Sequence, residues 1–334
     1  MRRVVFVTQA ADPEHPVLAA TLPKIRALAA RVDEVVVLAD TVVPGALPEN
    51  CRAHSFAAST QAGRGARCFA ALAPEIARRP VAVVAHMAPV YALIAAPLAR
   101  PLRVPLLLWF TQQGGGALLD AAVHVVDAVV TVDERSVPLH SSKVRAIGHG
   151  IDVDALPCVA ERRPPLRRLL GLGRYAPVKG WETVLRALPE LPEAALTLHG
   201  PMLTDGDRAH RPWLERLAGE LGVRDRVTFG DAVAYAEVPQ QFGVADAVVN
   251  ATHGNAADKV VYEAAAACLP VFAASPVFDT LLPEQLRFDA GNAASLAECI
   301  RAYTGGAGPQ LRARVAAEHS ADHWAERVLE IAGA

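Results

Sequence analysis

The sequence predicts a doubly wound α/β protein built as two parallel-sheet domains in tandem that face one cleft. Three observations predict it. Apolar, β-branched runs alternate with alanine- and leucine-rich amphipathic stretches almost from end to end; a proline- and charge-rich segment interrupts the alternation once; the alternation then restarts. With 334 residues, 52% apolar and 20% charged, the chain can bury large cores, and its length suits two domains. A net charge of -2 gives no overall field for nucleic acid, so a bound anion must be met by a local cluster of donors.

Strands are expected at 3–7, 35–38, 81–85, 106–109 and 128–132, with helical stretches such as 17–31 between them. The apolar run in MRRVVFVTQAAD is too short for a secretory signal and reads as the first strand. Residues 81–99 carry no formal charge and approach bilayer-spanning length. His86, Pro89 and Pro97 interrupt them, and the β-branched start predicts a buried strand followed by a helix.

After Gly148-His149-Gly150 the texture changes to IDVDALPCVAERRPPLRR, which reads as an interdomain linker. Strands follow at 166–172, 195–199, 226–229, 247–250 and 270–274, with helices beginning near Lys179, Trp213, Pro239, Ala257 and Ala293. Residues 310–331 form one long helical pattern holding His319 and Trp324, free to cross back over the first half. The domains are therefore expected at 1–150, joined by 318–334, and at 151–317. The five cysteines are scattered without metal-ligand spacing, which predicts neither a disulfide framework nor a zinc site and fits a reducing cytoplasm.

In such sheets ligands sit outside the carboxyl ends of the strands. The stretch GLGRYAPVKGWETVLRAL, residues 171–188, places Gly173-Arg174 and Lys179-Gly180 around the start of a helix, whose free N–H groups and partial positive charge suit a diphosphate. The plainer alternative, two cations on a solvated face, is disfavoured by the glycine partners and the strand-to-helix position. The same residues spell G-x-G-x-x-A through Gly171, Gly173 and Ala176. Pro177 and Lys179 follow where a dinucleotide helix should pack, and no acidic residue ends a second strand at the required place.

The second informative stretch is NATHGNAADKVVYEAAAACLPVFAAS, residues 250–275. Its loop, His253-Gly254-Asn255-Ala256-Ala257-Asp258-Lys259, leads into a helix with Glu263 in its early turns. Backbone amides there can hold hydroxyls and Glu263 can grip a vicinal diol such as a ribose; alternatively Glu263 only caps the helix dipole. Asp152-Val-Asp154 imitates a metal-binding D-x-D but lies in the linker, and His319 and His323, expected at i and i+4 on one helix, have no third ligand nearby. No metal site is expected. His86 ends a buried strand and reads either as a core histidine or as an acceptor-side group; His149 has the same two readings, and His253 best suits a sugar pocket.

These stretches carry a resemblance. GHGID at 148–152, LGRYAPVKGWETVLRAL, LTLHGP at 196–201, DRVTFGDAV at 225–233 and DKVVYEAAAACLPV at 258–271 are similar, in order and spacing, to retaining glycosyltransferases of family 4 with the GT-B fold of two Rossmann-like domains. The likeness is close in the second half and looser in the first. It implies that Arg174 and Lys179, beside Gly173, bind and stabilise the donor's diphosphate as leaving group. Glu263 matches the second glutamate of the family's E-x7-E motif and would hold the ribose. Asn255 stands where the first glutamate would be, and Asp258 where a glycine is common. The amides from Gly254 to Ala257 would face the sugar, and the backbone near Val233 would meet the base. The first βα loop reads TQAADPEHP instead of carrying a Gly-Gly pair, and Gln112 lies near the place of a common histidine, so the departures concern the acceptor side, with Gln112, His86 and His149 as its candidates.

The resemblance implies a metal-independent enzyme that moves a hexose-like sugar, with retention, from a UDP- or GDP-type nucleoside diphosphate sugar to a small-molecule acceptor. No further cofactor, no nucleic acid and at most peripheral membrane contact are expected. Asn255, Gln112 and the missing Gly-Gly support an alternative, a nucleotide-sugar-binding protein without turnover. A nicotinamide oxidoreductase would rest on G-x-G-x-x-A alone.

Overall fold

Continuous apolar runs flanked by amphipathic helices can bury both faces only in a parallel sheet, and the chain builds two. The computed structural model describes residues 1–334, which divide into one unit of Met1–Ile151 with Glu318–Ala334 and another of Asp152–Ala317.

In the first unit the strands are β1 (Arg3–Ala11), β2 (Glu34–Val42), β3 (Cys51–Ser55), β4 (Ala82–His86), β5 (Leu106–Trp109), β6 (Ala128–Thr131) and β7 (Val144–Ala146). All pair in parallel, in the order β3-β2-β1-β4-β5-β6-β7. The helices α1 (Leu22–Ala29), α2 (Gln61–Ala77), α3 (Pro89–Ala99) and α4 (Ala117–Val125) join them. The edge strands β3 and β7 escape sequence reading because one is largely polar and half exposed and the other only three residues long.

The second unit has β8 (Arg168–Leu172), β9 (Ala195–His199), β10 (Val227–Gly230), β11 (Ala247–Asn250) and β12 (Val271–Ala273), parallel in the order β10-β9-β8-β11-β12. Its helices are α5 (Trp181–Ala187), α6 (Asp205–Glu220), α7 (Val238–Val244), α8 (Lys259–Ala266), α9 (Ala293–Ala302) and α10 (Gly308–Glu318), and α11 (Ala321–Ile331) follows. Helix α6 begins eight residues before Trp213, because Thr204 and Asp207 form a capping box at a polar start and Pro212 is accommodated inside the helix.

The expected long helix over 310–331 is two helices. The His319 carbonyl accepts the N–H groups of Gly150 and Ile151 at 3.0 and 2.8 Å, and Ser320 caps α11 through the His323 N–H. His319 and His323 therefore do not share one helix. This junction also explains Gly148: at φ +78°, a Cβ there would lie 2.0 Å from the Glu318 carbonyl oxygen. Helix α11 returns to the first unit, where Arg31 of α1 bonds Asp322 and Glu326 and the fully buried Trp324 meets Trp109 at 5.6 Å between ring centroids.

The uncharged stretch over 81–99 folds as β4 and α3, and no helix is long and apolar enough to cross a membrane. A further expectation is overturned: Cys158 and Cys268, 110 residues apart in sequence, form a disulfide. Long-range packing that spacing cannot reveal brings them together. The Val159 N–H donates to the Ala267 carbonyl, and the Arg312 guanidinium gathers the carbonyls of Val153, Leu156 and Ala266, which seats the linker on the end of α8. The cysteines thus give no ground for a reducing compartment.

Candidate functional site

In the second sheet the chain adds β9 and β10 on one side of β8, then returns to add β11 and β12 on the other. The carboxyl ends of β8 and β11 flank the switch point, where ligands of doubly wound sheets bind. The loops that follow these two strands hold the residues singled out in the sequence.

After β8 the backbone turns sharply against β9. The Gly173 N–H donates to the His199 carbonyl, and a Cβ on Gly200 would lie 1.8 Å from the Gly173 oxygen, so the two chains touch only because residue 200 is glycine. The buried Tyr175 hydroxyl donates to the carbonyls of Leu198 and Gly230, and the Trp181 indole N–H donates to the Arg174 carbonyl, which pins the loop from both sides. Lys179 does not open a helix: it ends a short 3-10 turn, Pro177–Lys179, and α5 begins at Trp181 after Gly180 at φ +64°. A Cβ on Gly180 would meet the Ala251 carbonyl oxygen at 2.3 Å, and the His253 N–H donates to the Val178 carbonyl, so the two switch-point loops are in contact.

Each cation of the site already faces a carboxylate. Arg174, more than a third exposed, reaches the buried Asp207 at 3.4 Å, while Lys179 lies 2.7 Å from both oxygens of Asp258 with only 16% of its side chain exposed. Arg174 thus faces solvent, whereas Lys179 is largely enclosed. Lys259 bonds Glu263 at 2.7 Å and sits over the Tyr235 ring, 4.0 Å from its centroid. Glu263 is buried in the second turn of α8, beyond the free N–H groups, so it does not serve as a helix cap.

Burial alone would raise the Asp258 carboxyl, but the Lys179 charge and the bonds from Asn250 and Thr252 hold it below the ordinary aspartate range. Asp207 behaves alike: burial opposes ionisation, and the Thr204 hydroxyl, backbone N–H groups and Arg174 outweigh it. Around these pairs His253 is exposed, Gly254 turns at φ +73°, and Asn255, Ala256 and Ala257 are half-exposed. Val233 is half-buried in the segment that follows β10.

The remaining candidates lie in the first unit. His86 ends β4 and bonds Thr8 of β1 at 3.1 Å, at the switch point of that sheet; burial and the Lys24 charge push its pKa well below the ordinary histidine value. His149 is buried beside Trp109, and Gln112 is exposed in the loop after β5. Asp152 accepts the Ala155 N–H in a turn.

Sequence reading missed Asp207, Asn250, Thr252, Tyr235 and Lys24. The T-x-x-D spacing of Thr204 and Asp207 is a readable helix-start signal, and a polar Asn250 ending the run AVVN marks a strand end. Nothing local marks Lys24, which lies buried over the faces of Trp109 and Trp324.

Residues 167–304 match a family model described as Glycosyl transferases group 1. Among curated proteins, the GDP-mannose-dependent alpha-(1-6)-phosphatidylinositol monomannoside mannosyltransferase of Mycolicibacterium smegmatis is 32% identical over 155 residues, 40% of this chain and 38% of that protein. The D-inositol 3-phosphate glycosyltransferase of the same organism is 28% identical over 175 residues, 48% of this chain and 40% of that one. The chain thus spans two fifths or less of these relatives' length. Among solved structures, sucrose-phosphate synthase from Thermosynechococcus elongatus aligns with TM-score 0.78 at 18% identity, covering 99% of this chain and 98% of that one. Anabaena Alr3699/HepE in complex with UDP and glucose aligns with TM-score 0.77 at 16% identity over 100% of both chains.

Proposed function

From a chain that has the GT-B fold and matches, over residues 167–304, the family model described as Glycosyl transferases group 1, we infer a metal-independent, retaining glycosyltransferase that uses a nucleoside diphosphate sugar. The observation that carries this reading is that Arg174, Lys179 and Glu263 lie on the two loop-and-helix segments that follow β8 and β11 at one switch point, segments that touch through the His253 N–H and the Val178 carbonyl. A diphosphate would take up the free donors of Arg174 and Lys179, and the buried Glu263, held by its bond from Lys259, would accept from the ribose hydroxyls. The half-exposed amides from Gly254 to Ala257 would face the sugar, and the backbone near Val233 the base.

In the reaction the bond from the anomeric carbon to the diphosphate oxygen breaks, and the electron pair leaves with the nucleoside diphosphate. Cations aimed at that oxygen stabilise the charge as it develops, the largest single contribution such a site can make. The acceptor hydroxyl attacks from the face the diphosphate leaves, which preserves the anomeric configuration, and its proton passes to the departing phosphate oxygen. The donor is of UDP or GDP type and the sugar hexose-like; the acceptor is a small molecule.

A panel of UDP-, GDP- and TDP-sugars, followed by nucleoside diphosphate release, tests this reading. Arg174→Ala is expected to lower turnover by about 10²–10³ with little change in thermal stability, since Arg174 is solvated. Unchanged turnover in that variant would overturn the assignment. Saturable binding of sugar nucleotides without turnover would support the second reading, a binding protein, which Asn255 in place of a glutamate favours.

A further inference from the structure

Lysine is a compact charge on a flexible stem with three rotatable donors, so an unrestrained Lys179 would sample many directions. The structure restrains it twice. Its Cδ and Cε run along Gly173, 3.6 Å from where a Cβ of that residue would stand, and its ammonium meets both oxygens of Asp258 at 2.7 Å. Asp258 is itself fixed, because Asn250 and Thr252, both almost fully buried, donate to one of its oxygens.

The second observation is what Asp258 forgoes. It occupies the N-cap of α8, where an aspartate ordinarily accepts an N–H from the first turn, yet its side chain makes no capping bond. Its acceptors are spent on Lys179, Asn250 and Thr252. Two of the three ammonium hydrogens are thereby used, which leaves one to aim.

We propose that Asp258 is a positioning residue: it clamps the Lys179 ammonium so that its remaining N–H points at the diphosphate oxygen that gains charge as the sugar departs. This rests on the reading of Lys179 as a diphosphate ligand. The clamp has a characteristic consequence, because Asp258 also contributes a negative charge beside an anion site. Its removal makes the site more attractive to a bound diphosphate and worse at stabilising bond breaking, so binding and turnover move in opposite directions.

Asp258→Asn keeps the shape and removes the charge. The chain has only four lysines, Lys24, Lys143, Lys179 and Lys259, so reductive methylation mapped by mass spectrometry reads each one in the ligand-free protein. Lys179 is expected to react slowly in the native protein and roughly tenfold faster in the variant, with Lys143, in the other unit, unchanged as internal control. Equal Lys179 rates overturn the clamp. In calorimetry with UDP and GDP, the variant is expected to bind as tightly as the native protein or up to about tenfold tighter, while kcat falls by about tenfold or more and Asp258→Glu restores part of it.

Parallel loss of binding and kcat, or native kcat, overturns the proposal. So does weaker binding of a sugar nucleotide with unchanged binding of UDP and GDP, since Asp258 would then be a direct sugar ligand. A native protein that binds neither UDP nor GDP refutes the diphosphate reading instead, and the labelling still decides the clamp.

Discussion

In the first sheet the strand order reverses between β1 and β4; in the second it reverses between β8 and β11. The first switch point holds Thr8 and His86, an uncharged pair 3.1 Å apart inside the packing, with the Lys24 ammonium laid over the face of Trp109 nearby. The second holds three cations, Arg174, Lys179 and Lys259, each facing a carboxylate at the edge of solvent. The same topology thus carries two chemistries. Topology decides where side chains converge, and the loops decide what converges. Ion pairs on loops can re-partner with an arriving anion; a neutral imidazole and aromatic faces inside a core cannot.

The largest expected effect is on packing in the first unit. Trp324 is fully buried against Phe6 and Trp109, and its indole N–H has no hydrogen-bond partner, so ring packing and the Lys24 ammonium over its face hold it there. Trp324→Ala is expected to destabilise that unit by about 3–5 kcal/mol. Trp324→Phe, which also removes the unsatisfied donor, should cost much less. Hydrogen exchange read separately over the two units checks this. Equal loss of protection in both would show that the units do not unfold independently.

How much of this was legible follows from sequence distance. Buried parallel strands betray themselves as unbroken apolar runs, so β5 and β11 were readable to the residue, and the glycines beside Arg174 and Lys179 marked the switch-point loop. The carboxylates that meet these cations were not readable: Asp207 lies 33 residues beyond Arg174 and Asp258 lies 79 beyond Lys179. The Cys158–Cys268 bond, spanning 110 residues, is hidden for the same reason. The break at His319 was hidden because the apolar periodicity runs through it, while the cause, two N–H groups from Gly150 and Ile151, comes from elsewhere in the chain.

A smaller effect separates the units by pH. His319 is pushed down to about 4 by burial and by His323, against the pull of Asp133, and His86 lies well below its ordinary value. An unfolded chain takes up these protons near pH 6.5, whereas the folded unit resists them, so the unfolded state binds more protons in between. Stability of the first unit should therefore fall as pH drops from 6.5 towards 4, by about 3 kcal/mol from His319 alone. In the second unit the lowered carboxyls of Asp207, Asp246 and Asp258 contribute fully above the ordinary aspartate value of 3.8 and are lost only as pH falls below it. Hydrogen exchange at pH 6.5 and 4.5 should show the first unit loosening alone. Loosening of both together would contradict the assignment of neutral, buried histidines.

The smallest effect tests whether the charged switch point depends on its helix. Thr204 accepts the Asp207 N–H, and Asp207 in return accepts the backbone N–H groups of Leu203 and Thr204 while facing Arg174. Thr204→Ala removes one cap, a loss of about 1 kcal/mol. It also frees the Asp207 backbone that aims the carboxylate at Arg174. If that carboxylate orients the guanidinium, the variant should bind a nucleoside diphosphate a few-fold more weakly, and on an Arg174→Ala background the capped and uncapped proteins should bind it equally. An undiminished difference on that background would show that the cap acts on the fold of α6 alone, and that Arg174 takes its direction from the phosphate.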